Sequence, residues 1–227
     1  MKSSVFWALV RKDLYVLRGF MILTVVVGLA ALVGMRFGRV GFAIGGILFL
    51  TANVGGGIFI AMYSLLTERK EQSNLFALSL PISGFQYELS KLVSGYLSYG
   101  IPWTVLTVVG LSGYFMPSAA ADRGMFVYGV VLQLFVLALF SFVLAWLFVV
   151  ASEVLAGLVI VVSNICFSLF MVTLNQPEVT APWHSPAIVW TPFAVGALAG
   201  ELAVIAVSTG LALFALSRRR DPLRSLQ

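Results

Sequence analysis

From Met125 to Leu174 the chain carries one charge, Glu153, in an otherwise apolar run. As a single helix that run would be about 75 Å long, more than twice the roughly 30 Å hydrocarbon core of a bilayer. It therefore has to turn, and Ser152-Glu153 is where it can do so, which makes two membrane spans. The same reasoning places apolar segments at about 19–35, 41–66, 92–115, 125–151, 154–174 and 195–217. The composition agrees: the chain is 60% hydrophobic and 10% charged, whereas a soluble domain has about a quarter of its residues charged. The expected fold class is an all-α polytopic membrane protein with six transmembrane helices.

Lysine and arginine orient the spans. With a cytoplasmic N-terminus, the inner segments hold Lys2, Arg11, Lys12, Arg18, Arg69, Lys70, Lys91, Arg218, Arg219, Arg220 and Arg224, and the outer loops hold only Arg36, Arg39 and Arg123. This asymmetry predicts that both termini and the 68–91 segment are cytoplasmic. Basic residues at segment ends fit membrane lipids as partners and leave no continuous basic face for nucleic acid. Residues 1–18 have Phe6, Leu9, Val10, Leu14 and Leu17 at helical spacing beside Lys2, Arg11 and Lys12, which predicts an interfacial helix leading into the first span. The charges at Arg11, Lys12, Asp13 and Arg18 interrupt the region where a cleaved signal peptide has its apolar core.

The segment Glu68 to Lys91 is the long polar interruption between spans. Glu68, Arg69, Lys70 and Glu71 open a short predicted helix whose apolar positions are Leu75, Phe76, Leu78 and Leu80, and Pro81 ends it. Ser83 and Gln86 then have capping-box spacing, with Ile82 and Tyr87 placed for a hydrophobic staple. The helix so started runs through Glu88 and Lys91 directly into a span, a joint suited to passing force.

The charged turn, the sequence LSLPIS and the lysine-bearing helix resemble the main cytoplasmic loop of bacterial ATP-binding-cassette exporter permeases of the second type. Arg11-Lys12-Asp13-Leu14-Tyr15 followed by Arg18 resembles the start of the small six-span members, and Gly84-Phe85 departs from the basic residue common after the serine. With the span layout, the resemblance covers nearly the whole chain as one permease domain, 1–227. It implies an exporter subunit of the bacterial plasma membrane, with a coupling helix at Glu68–Leu80 and ATPase-coupling residues Glu68, Arg69, Glu71, Leu75, Phe76, Leu78, Pro81 and Ser83. It also implies a pair of ABC ATPase subunits that bind ATP and Mg, and a pair of permeases, identical or closely related. The chain's own sequence is consistent with this division of labour: it lacks the G-x-x-x-x-G-K-[ST] phosphate loop, so no cofactor is expected in it.

Inside the spans, Asn53 and Asn164 need hydrogen-bond partners or water, as interhelical contacts or as pathway lining. Gly56, within Gly55-Gly56-Gly57, suits close packing or a hinge. Glu201, in the outer third of the last span, is a functional carboxylate or an interfacial one. Gly41-xxx-Gly45 and Gly196-xxx-Gly200 allow close helix contact. The outer loop 175–193 contains Pro177, Pro182, Pro186 and Pro192 with Trp183 and Trp190, which suits either re-entrant helices or a surface loop. Two other classes compete. A membrane-embedded enzyme would need a nucleophile with a base or a histidine cluster, yet His184 is the only histidine and Cys166 the only cysteine. An ion-coupled secondary transporter would need intramembrane charges, of which Glu201 is the single candidate.

Overall fold

The computed structural model describes residues 2–64, 83–116, 123–149, 153–183 and 185–218. They form α1 (Lys2–Gly34), α2 (Gly38–Met62), α3 (Gly84–Ser112), α4 (Met125–Val149), α5 (Glu153–Leu174), the one-turn α6 (Pro177–Thr180) and α7 (Pro192–Arg218). Six of these are long and apolar enough to cross a membrane, and no strand occurs among the described residues. The side that the charge asymmetry assigns to the cytoplasm is called inner below.

The N-terminal stretch leads into the first span without a break: α1 continues from Lys2 to Gly34 as one helix. At 33 residues it is about 50 Å long, so its first part extends beyond the hydrocarbon core. The reason lies in a stripe at helical spacing: Val10, Asp13 and Leu17 are all buried, while Arg11, Lys12 and Arg18 are exposed. Arg18 lies over the Tyr15 ring at 3.9 Å and donates to the Tyr15 hydroxyl at 3.1 Å.

Helix α1 packs extensively on both α2 and α3. Glycine permits the α1–α2 approach: a Cβ at Gly45 would lie 2.6 Å from the Ala31 carbonyl oxygen, and one at Gly41 2.5 Å from that of Gly34. The turn between these helices passes through Gly38 at φ +70°, a left-handed conformation that favours glycine. The Gly41-xxx-Gly45 pair is thus consumed within the chain, whereas Gly196 and Gly200 face open space.

Helix α4 is the hub. It is apolar all round and the most buried of the spans, packing most extensively on α7 and also on α2, α3 and α5. Phe140, Leu144, Leu147 and Phe148 form its inner core with Leu17, Ile60 and Tyr99, and Tyr99 stacks on Phe140 at 4.1 Å. By contrast, most of α5 and α7 is exposed within the single chain. The outer loop folds back on α4: Trp183 packs against Tyr128 at 4.3 Å, and the Gly124 amide donates to the Ser185 carbonyl at 2.9 Å. Gly124 sits so close to the Pro182 carbonyl that no side chain fits there. Within this loop α6 is the only helix among the described residues.

Candidate functional site

The inner end is built on α3. Ser83 is its N-cap: its hydroxyl accepts from the Gln86 amide at 3.3 Å, and the Gln86 side chain accepts from the Ser83 amide at 3.4 Å. The capping box read from the sequence is therefore formed. Two turns on, Lys91 is 3% exposed, and its Nζ donates to both carboxylate oxygens of Asp13 at 2.8 Å. Ser94 donates to Asp13 Oδ2 at 3.0 Å and to the Lys91 carbonyl at 3.0 Å. Lys12 lies 4.0 Å from the same carboxylate.

Depth along the helices explains why this pair is there. Counting about 20 residues inward from Gly34 and from the outer end of α3 brings the hydrocarbon boundary close to Asp13 and Lys91. A lone charge at that boundary, enclosed by protein, is costly, and two opposite charges in bidentate contact offset each other's desolvation. The result is a polar latch tying the start of α3 to α1. Sequence reading noted Asp13 and Lys91 separately and missed the pairing, although an acid inside a basic cluster and a lysine leading into a span are the signals that could have joined them. Glu68, Arg69, Glu71, Leu75, Phe76, Leu78 and Pro81 lie outside the described residues.

The mid-membrane residues are distributed differently. Asn53 is buried, and its amide donates to the carbonyl of Phe49 in its own helix at 3.0 Å, leaving Oδ1 without a partner. Asn164 does the same toward Ile160 at 2.9 Å but on an exposed face of α5. Among the described residues neither amide makes an interhelical hydrogen bond. Gly56 packs on α1, where a Cβ would meet the Thr24 hydroxyl at 2.7 Å, and it borders a groove of about 280 Å³ between α1 and α2. Glu201 is 5% exposed, and neither carboxylate oxygen has a partner. It lies two to three turns inside α7, within the span.

Toward the outer side, α1 to α5 and Trp183 of the outer loop border an open cavity of about 430 Å³. Its walls are largely apolar; Gln133 and Thr107 are among its lining residues, and each has a buried side-chain oxygen without a hydrogen-bond partner. Neither residue stood out in the sequence. No group of His, Cys, Asp or Glu among the described residues could hold a metal ion.

The described residues thus offer a latched inner joint and an apolar cavity with a few polar atoms, an arrangement suited to binding and movement. A family model described as ABC-2 family transporter protein matches residues 8–216, most of the chain. No curated protein and no solved structure matches it.

Proposed function

The chain belongs to the ABC-2 family of transporter proteins, and on that premise we propose that it is the permease subunit of an ATP-driven exporter in a bacterial plasma membrane. It is a multi-pass membrane protein, and permeases of this family work with ABC ATPase partners. In the proposed cycle, ATP-driven closure of two partner ATPases pushes the Glu68–Leu80 segment of each of two permeases. Ser83 starts a helix that carries the push into the third span, and the Asp13–Lys91 latch makes α1 move with it. The observation that carries this reading is the latch, because it joins the helix entering directly from the cytoplasmic segment to a second span. A capped helix alone would transmit force to one span only.

The docking face is assigned to Leu75 and Phe76, two of the apolar positions in a segment that opens with four charged residues. Replacing both by serine should leave membrane insertion intact and abolish co-purification of the ATPase and permease-stimulated ATP hydrolysis. Normal binding and stimulation by that variant would remove the docking role from this face.

A second reading, ion-coupled transport, draws on Glu201, a buried carboxyl without a partner. Transport that persists in vesicles without nucleotide, and collapses with the ion gradient, would favour it over the first.

A further inference from the structure

The outer cavity poses a problem of hydrogen-bond accounting. Gln133 is 6% exposed; its backbone carbonyl accepts from the Trp103 indole at 2.9 Å, but its side-chain Oε1 has no partner. Thr107 Oγ1, also buried, is unpartnered as well. Gln133 lies about 12 Å and Thr107 about 8 Å from the outer ends of their helices, inside the hydrocarbon core, where lipid cannot satisfy them. Buried polar atoms of this kind call for a partner that enters the site.

Water fits poorly. Each ordered water needs two to four polar partners, and a cavity of about 430 Å³ with walls such as Phe49, Leu50, Leu111 and Leu132 offers few of them. A plain hydrocarbon chain fits the walls and leaves Gln133 unsatisfied. No lining residue carries a charge, so nothing there would stabilise an ionised group. The volume lies within the range of small-molecule sites, which are mostly apolar with a few placed polar groups. An entrance is also present: α2 and α5 both contribute to the lining and hardly touch each other, which leaves a lateral opening between them.

We propose that this cavity binds an uncharged, mainly apolar molecule bearing an amide or hydroxyl group, which Gln133 and Thr107 hydrogen-bond while the apolar walls enclose the rest. Gln133 is the specificity-determining residue, since its side chain can both donate and accept. The proposal rests on the transport reading only in making the bound molecule a candidate cargo; binding itself needs neither ATP nor a partner subunit.

The test uses the full chain in lipid nanodiscs, photolabelled with stearamide carrying a mid-chain diazirine, or with octadecane carrying the same group. Mass spectrometry then maps the labelled residues. The amide probe should label the lining stretches of α2 and α4 saturably and be displaced by unlabelled stearamide, whereas the hydrocarbon probe should label exposed faces without saturation. Gln133→Leu should weaken displacement by stearamide about tenfold, as expected for loss of one hydrogen bond to the ligand. Gly46→Leu is the second variant: the nearest atom to a Cβ there is Met35 Cε at 4.0 Å, so the leucine can enter the cavity without touching Gln133, and it should abolish saturable labelling. Unsaturable amide labelling spread evenly over the helices, as for a cavity holding only water or bulk lipid, would overturn the proposal. So would wild-type displacement in a folded Gln133→Leu protein. Because no ATPase is present, these outcomes are separable from failure of the exporter reading, which would show in co-purification.

Discussion

At its inner boundary the molecule pairs its buried charges, and deeper in the spans it leaves buried polar groups open. Asp13, Lys91 and Ser94 satisfy one another where α1 and α3 approach the hydrocarbon boundary. Gln133, Thr107 and Glu201, further out, have side-chain oxygens with no partner. Buried polar networks hold a structure rigid when fully satisfied and are costly when they are not. On the proposed readings the difference is a division of labour: the inner joint would transmit movement as one piece, and the outer cavity would meet something that arrives.

The sharpest way to break this comparison is to remove one charge from each region. Asp13→Ala or Lys91→Ala strands an opposite charge in a buried position, which costs about 3–5 kcal/mol, and should show as a large loss of thermal stability in detergent. Glu201→Leu removes a carboxyl with nothing to lose and should leave stability unchanged or raise it. Equal destabilisation by both would mean that Glu201 has a partner and that the contrast is false.

A smaller effect sharpens the packing side of the comparison. Gly45→Val would drive a side chain into the Ala31 carbonyl, and overpacking of this kind costs about 1–3 kcal/mol. Gly200→Val meets open space in the single chain and should leave its stability as it is. If Gly200→Val nevertheless separated an assembled pair of permeases, as read by native mass spectrometry, the exposed face of α7 would be their contact.

The smallest expected effect concerns the cap. Ser83→Ala loses the N-cap hydrogen bond, worth about 1 kcal/mol, and should lower permease-stimulated ATP hydrolysis modestly while insertion remains normal. Wild-type stimulation in that variant would show that the start of α3 need not be held firmly.

The spans themselves were evident in the sequence because length and hydropathy alone decide them, and the Ser83–Gln86 cap because its spacing is local. The packing of the start of α1 was not. Arg11, Lys12 and Arg18 mark a wet face, but only the partner helix reveals that Val10, Asp13 and Leu17 form a buried one. Rotation of the apolar spans was equally hidden: Asn53 and Asn164 are alike as residues in apolar segments, yet one is buried in α2 and the other exposed on α5. Gln133 went unremarked for the same reason, since in a helix apolar on every side no periodicity says which residue faces a cavity.

The central claim is that the inner latch makes α1 and α3 respond together to the cytoplasmic segment. Exchanging the two charges, Asp13→Lys with Lys91→Asp, tests it most directly, with permease-stimulated ATP hydrolysis and transport as readouts beside each single exchange. Either single exchange should lose stimulation and transport, while the double exchange should recover a substantial part of both. Single exchanges that insert, bind the ATPase and stimulate it as the wild type does would contradict it.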